Sequence, residues 1–275
     1  MILGHSEKIK IFKDLADKDG LSHAYLFYGP EQVGKNHFAK ALSAYLEHGE
    51  FEESKRLLSE TLTVLPGEDK DSIGIDEVRV AKTFLYRKPV NSEKRLVIID
   101  NSDLLTSQAQ NAILKITEEP PKTGIIILIT KNPDTLLPTL RSRVQQVYFS
   151  RLKSDDLKNF LKKERGLADD EIERIVKLSF GRPGRMFDLI DTDKYKDLLK
   201  IFNNLKKDSK VKRSTIEEIS KEGDYRELLD YLIAVLSEKP LENYKLLAKI
   251  MDAKQKMGDY STNKRLQLES ALWNI

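Results

Sequence analysis

Cysteine is absent from the 275 residues. Disulfides, thiol catalysis and Cys-ligated zinc are therefore excluded. Histidine is scarce: His5, His23, His37 and His48 all fall in the first fifth of the chain, without a paired metal-ligand spacing, so neither zinc nor another structural metal is expected. Long apolar runs are missing as well. The longest purely aliphatic stretch is 125–129, far short of the ~20 residues that cross a bilayer. No basic segment leads into an apolar one near Met1, so no secretory leader and no membrane association are expected, and the expected location is the cytoplasm. Nor does one sign of charge dominate. Lys and Arg number 47 against 44 Asp and Glu, a formal net charge of +3, and the two signs are interspersed as on a solvated helical surface.

What is present describes a globular protein, with 40% hydrophobic and 33% charged residues. The length suggests about two domains. Through residues 1–150, strand and helix patterns alternate. Residues 7–18 and 36–47 show amphipathic helical spacing, and 107–118 a helix stopped by Pro120-Pro121. Ala24–Tyr28 (AYLFY), 95–100 (RLVIID) and Gly124–Thr130 (GIIILIT) read as strands buried on both faces. Strands alternating with helices imply βαβ units and an open parallel sheet covered on both sides, an α/β fold. After Ser150 the strand signals fade. Residues 154–163, 169–178 and 183–190 read as short helices, and the pattern stays helical from about Asp193 to the end. The expected organisation is an α/β domain at 1–150, a small helical domain at 151–192 and a helical domain at 193–275.

One segment carries recognisable chemistry. Gly29-Pro-Glu-Gln-Val-Gly34-Lys35-Asn36 follows the phosphate-loop pattern G-x-x-x-x-G-K-[ST] up to its last position, with a strand before it and a helix after it. Glycines let backbone N–H groups curl around phosphate, Lys35 reaches the β/γ oxygens, and the helix N-terminus adds positive potential. The last position normally gives Mg²⁺ a hydroxyl; Asn36 has an amide instead. A second station is an acidic residue ending a buried strand, here Asp100, placed to hold Mg²⁺ through water. The following position, where hydrolases of this class carry Glu, is Asn101, which cannot act as a base. The plain alternative is that the glycine-rich segment is an ordinary turn.

These stretches together resemble the delta-prime subunits of the bacterial DNA polymerase III clamp loader, in the gamma/delta-prime branch of the AAA+ superfamily. The likeness rests on His23-Ala-Tyr-Leu-Phe-Tyr-Gly-Pro30, Ser72-Ile-Gly-Ile-Asp-Glu-Val-Arg79, Gln110-Asn-Ala-Ile-Leu-Lys-Ile-Thr-Glu-Glu-Pro-Pro121 and Asn132-Pro-Asp-Thr-Leu-Leu-Pro-Thr-Leu-Arg-Ser-Arg143. Gly181-Arg-Pro-Gly-Arg185 resembles the family's small-domain signature, with Arg182 where a small residue is common. The resemblance covers roughly residues 1–190.

It implies an AAA+ P-loop domain with a parallel sheet, a three-helix lid and a helical collar. The implied role is in an open ring with gamma/tau-type and delta-type subunits that uses ATP to load the sliding clamp onto primed DNA. Delta-prime subunits commonly carry a defective ATP site, which Asn36 and Asn101 fit; ATP or ADP is the cofactor to expect if one is bound. The family's Ser-Arg-Cys motif places an arginine against ATP on a neighbouring subunit, and here it reads Ser142-Arg143-Val144. Charge builds on the γ-phosphoryl oxygens in the transition state, and such a finger gives roughly 10³–10⁵ in rate in GTPases. From position alone, Arg143, like Arg141, reads as a surface arginine.

Other residues divide between functional and structural readings. Arg185 is a candidate nucleotide-sensing lid arginine or a helix-start surface charge beside Pro183. Thr130 and Asn132 lie where the superfamily senses the γ-phosphate. The basic run 206–213 reads as a solvated linker rather than a DNA contact, since it lacks interleaved aromatics. Trp273 reads as a core or interface anchor. The family's four-Cys zinc module is missing from 47–70, which is expected to be a shortened helical hairpin or loop, and the part after Asp193 is short for a full collar. Two rivals stay open: an active gamma-like or other AAA+ remodelling ATPase, and a scaffold in which Lys35 holds ATP or ADP for stability alone.

Overall fold

A computed structural model describes residues 2–54, 56–66, 71–192, 194–222, 225–237, 239–259, 263–273 and 275, without the side chains at 194–196, 222, 258 and 259. The elements run α1 (Ser6–Asp17), β1 (Ala24–Tyr28), α2 (Lys35–His48), β2 (Thr61–Val64), α3 (Ile75–Leu85), β3 (Arg95–Ile99), α4 (Ser107–Glu118), β4 (Gly124–Thr130), α5 (Pro138–Arg141) and β5 (Gln145–Tyr148). Helices follow without further strands among the described residues: α6 (Ser154–Glu164), α7 (Asp169–Ser179), α8 (Pro183–Asp191), α9 (Lys194–Leu205), α10 (Ser209–Glu222), α11 (Tyr225–Leu236), α12 (Tyr244–Asp259) and α13 (Lys264–Leu272). They pack as two units, Met1–Lys163 with Gly181–Gly184, and Glu164–Phe180 with Arg185–Ile275.

In the first unit the strands form one parallel sheet in the order β2-β3-β4-β1-β5. Side chains alternate faces along a strand, and the core divides accordingly. Ala24, Leu26, Val97, Ile99, Ile126 and Leu128 pack with Val78, Leu85, Ile113 and Leu140 of α3, α4 and α5. Tyr25, Phe27, Leu96, Ile98, Ile127 and Ile129 face the other way, onto Phe12 of α1 and Phe38 and Leu42 of α2. On that second face Phe12, Phe27, Phe38 and Phe149 make edge-to-face and tilted ring contacts with centroids 5.0–5.7 Å apart. Three central strands buried on both faces need continuous apolar runs, and AYLFY, RLVII and GIIILIT supply them.

The edge strands β2 and β5 differ. Thr61–Val64 pairs with β3 inside the stretch read from sequence as a helical hairpin or loop, and this corrects that expectation; residues 55 and 67–70 of the stretch lie outside the described residues. Gln145–Tyr148 pairs with β1 and is largely exposed. The buried ion pair between Arg95 and Glu60 (Nε to Oε2, 2.7 Å) sits beside β2. Glu60 Oε1 also accepts N–H bonds from Val90 (2.7 Å) and Asn91 (3.1 Å), and Arg95 Nη1 donates to Phe84 O.

The second unit is helical. Leu178, Leu198, Leu205, Ile216, Leu228, Leu232, Ile250, Met257, Leu268 and Leu272 build its core. α10 begins at Ser209, so the basic run 206–213 is part linker and part first helical turn. Trp273 caps the C-terminal end of α13 and is 46% exposed, outside the core.

Candidate nucleotide site and arginine-bearing turn

Parallel α/β sheets bind ligands beyond the carboxyl ends of their strands, where the connections diverge. Here β1 sends the chain across to the far edge at β2, while β4 sends it over β1 to β5. The Gly29–Asn36 loop and Asp100 follow the carboxyl ends of central strands, and Thr130 is the last residue of β4. Two glycines shape the loop. Gly29 has φ +133°, and a Cβ there would lie 2.2 Å from Phe149 O, so space as well as conformation demands glycine. Gly34, at φ +99°, opens α2 with nothing near its absent side chain; its need is conformational alone.

The loop is held from two sides. His5 Nε2 donates to Val33 O at 3.0 Å, with its ring against Phe149 at 4.9 Å between centroids. Gly184 N–H donates to Gln32 O at 3.0 Å. Burial pushes His5 below its ordinary pKa; the Val33 carbonyl opposes this and nearby Lys8 adds to it. Sequence reasoning assigned His5 no such role, because a contact across 28 residues leaves no local pattern.

Lys35 is buried, and its ammonium donates to the carbonyls of Gly29 and Pro30, each at 2.6 Å. Burial lowers its pKa, with Glu31, Asp100 and Asp103 acting the other way. Asn36 Nδ2 donates to Asp100 Oδ2 at 2.6 Å, and Asp100 Oδ1 accepts from the Asn101 N–H at 2.9 Å. A carboxylate only accepts hydrogen bonds, so the amide presents its nitrogen, not its oxygen, to the station where Mg²⁺ would need oxygen ligands. The residues present therefore fit phosphate through the loop and Lys35, while the metal station as placed offers the Asp100 carboxylate together with the amide nitrogen, not the oxygen, of Asn36.

Thr130 Oγ1 donates to Asn132 O (3.0 Å) and lies 3.3 Å from Asp103 Oδ1. Asn132 Oδ1 accepts from Asp134 N–H at 3.0 Å, which caps a short 3₁₀ turn at Pro133–Thr135. That side chain is engaged in local turn structure. Arg185 belongs to the helical unit, where it pairs with Asp230, as does Lys254; its guanidinium also stands 5.4 Å from the Phe180 ring centroid. Burial raises the Asp230 carboxyl, but Lys254 and Arg185 outweigh it and hold it below its ordinary value.

Arg143 stands directly after the α5 turn. Its Nη1 donates to Thr139 O at 3.0 Å and its Nη2 pairs with Glu118 Oε1 at 3.1 Å; the side chain remains 41% exposed. Arg141 instead pairs with Asp134 at 2.5 Å. Gln110, buried in α4, accepts the Leu137 N–H at 2.7 Å and donates to the Leu105 carbonyl at 3.2 Å, which fixes the approach to α5. Among the described residues, no contact joins Arg143 to Lys35, Asn36 or Asp100. Gln110 and Glu118 were legible only as parts of a resembling stretch; a polar residue on a buried helix face is the signal that marks Gln110.

The chain is similar in sequence and in fold to known proteins. A delta-prime subunit of DNA polymerase III from Bacillus subtilis is 33% identical over 155 residues, covering 53% of this chain and 47% of that one. A gamma/tau subunit from Mycobacterium tuberculosis is 29% identical over 192 residues, covering 64% of this chain and 33% of the other. The chain thus spans a third to a half of the length of these relatives. In fold it is similar to a DNA polymerase III gamma subunit-related protein from Thermotoga maritima, with a TM-score of 0.62 at 23% identity over 95% of this chain and 97% of that one. The RuvB branch migration motor of the same organism gives a TM-score of 0.56 at 17% identity, over 96% and 88%. The fold is that of an AAA+ P-loop domain with a parallel sheet, followed by helical segments. The family model described as DNA polymerase III, delta subunit, matches residues 4–153, more than half of the chain, and the chain belongs to that family.

Proposed function

We propose that the chain is a clamp-loader subunit of the replicative DNA polymerase III holoenzyme. In this reading it assembles with gamma/tau-type and delta-type subunits in the cytoplasm, helps place the sliding clamp on primed DNA, and donates Arg143 to ATP held by a neighbouring subunit. Its own site does not hydrolyse ATP. The observation that carries this reading is the Asn36–Asp100 hydrogen bond at 2.6 Å: the two side chains that would share a metal are bonded to each other. Asn101, following Asp100, has no basic side chain to polarise a water.

When bound, a nucleotide would supply phosphates for Lys35 and the N–H groups around Gly29 and Gly34 to hold. Without a metal station or a base, such binding stabilises the loop rather than turning over. The chemistry this chain contributes lies at Arg143, whose guanidinium can hydrogen-bond oxygens that gain charge as the γ-phosphoryl group transfers. The turn that carries it is braced by Gln110, so the arginine is presented from a fixed backbone.

The rival reading is a gamma-like ATPase, which the gamma/tau likeness favours and Asn36 with Asn101 oppose. The deciding experiment compares ATP turnover of the reconstituted loader, with clamp and primed DNA, for wild type and Arg143→Ala, alongside the isolated chain. Loss of at least one site's turnover, with assembly intact by gel filtration and no turnover by the isolated chain, is expected. Unchanged turnover rejects the finger, and turnover by the isolated chain rejects the inactive site.

A further inference from the structure

We propose that Glu118 is a positioning residue for Arg143, an inference that rests on the finger reading above. The last residue of α4, Glu118 meets Arg143 Nη2 at 3.1 Å, while Thr139 O takes Nη1 at 3.0 Å. These contacts come from two different elements, α4 and α5, and together they hold both terminal nitrogens of the fork. The same helix fixes the turn's backbone through Gln110 and Leu137 N–H. α4 therefore acts as a rail that sets the turn at one end and the side chain beyond it at the other. Arg141, by contrast, is braced within its own loop by Asp134.

The effect is one of ordering. A free arginine side chain loses rotamer freedom when it binds phosphate, and that loss weakens the interaction. Holding the guanidinium beforehand removes part of the loss. Only part of its hydrogen-bonding capacity is used by Glu118 and Thr139, so further N–H donors remain for phosphate oxygens. An ion pair this exposed, with side chains 41% and 45% accessible, contributes little to stability, which separates a positioning role from a structural one.

The test uses the assembled complex with its gamma/tau-type ATPase, clamp and primed DNA, and compares Glu118→Ala, Glu118→Gln, Arg143→Ala and the Glu118→Ala/Arg143→Ala double variant. Expected for Glu118→Ala is a fall in kcat of roughly threefold to tenfold, the size of ordering one long side chain in advance. KM for ATP and the melting temperature of the chain stay as in wild type. Glu118→Gln, which keeps an acceptor, recovers part of the rate, and the double variant is no slower than Arg143→Ala. If Arg143→Ala slows turnover and Glu118→Ala does not, or if Glu118→Ala speeds it, positioning by Glu118 is wrong and the finger stands. An additive double variant overturns action through Arg143. If Arg143→Ala itself is silent, the finger reading fails and takes this proposal with it.

Discussion

The amide nitrogen of Asn36 donates to the carboxylate of Asp100 across 2.6 Å, joining residues 64 positions apart in sequence. The link closes the end of β3 onto the start of α2 with a charge-assisted hydrogen bond. Asp100→Ala leaves the Asn36 amide without that partner and is expected to destabilise the first unit by roughly 1 kcal/mol in urea unfolding. Asn36→Thr replaces the amide with a hydroxyl, which can still donate to Asp100 and whose oxygen can also ligate a metal. ADP titrated into that variant should bind more tightly with Mg²⁺ than without it, whereas wild type should show no such gain. A wild-type chain whose ADP affinity already rises with Mg²⁺ would refute the reading of this pair.

The two loop glycines should respond differently to alanine. At Gly34 the expected loss is about 1–3 kcal/mol, the strain of an L-residue at positive φ. At Gly29 the same strain is joined by a Cβ 2.2 Å from the Phe149 carbonyl, so the loss should exceed about 3 kcal/mol. Denaturant titrations of both variants check this, and equal losses would remove the steric argument.

Acid should weaken the fold by identifiable steps. Burial alone would raise the Glu60 carboxyl, but the N–H groups of Val90 and Asn91 and the Arg95 guanidinium hold it below its ordinary 4.5. Its folded form thus binds protons less readily than the unfolded chain. The stabilisation is complete above the ordinary carboxylate range and disappears as pH falls through the lowered folded value. His5 has the same sign at higher pH: its folded pKa lies below 6.5, so protonation of the unfolded chain begins to draw stability away as pH drops under that value. Arg95→Met strips the buried Glu60 of its ion-pair partner and is expected to lose about 3–5 kcal/mol at neutral pH, with a shallower acid slope than wild type. Urea midpoints measured from pH 7 to pH 3 report both effects; an acid slope identical in Arg95→Met would show that Arg95 does not hold Glu60 down.

The legible parts of the chain share one physical property. Ala24–Tyr28, Ser107–Glu118 and Gly124–Thr130 match their sequence-derived bounds because each is either buried on both faces or firmly amphipathic. Thr61–Val64 and Gln145–Tyr148 escaped notice since an edge strand needs little apolar content, and TLTV and QQVY are each half polar and only four residues long. The same split holds in the site. Lys35, Asn36 and Asp100 stand in a local pattern that chemistry dictates, whereas the engagement of Arg185 with Asp230 and of His5 with Val33 arises from tertiary contacts that no spacing encodes.

The strand order has a temporal side. β1 lies between β4 and β5, and both of its partners are made later than it is. On a ribosome, residues 24–28 therefore have no strand to pair with until 124–130 have emerged, and the loop behind β1 has no finished sheet to rest on before then. β2 and β3 can pair early, while an aromatic-rich AYLFY segment waits through about a hundred residues of synthesis. A late, long-range closure of this kind slows folding and leaves sticky backbone exposed. The first strand of the domain is thus among the last to be locked in place: β4 can reach one side of it first, and β5 closes the other.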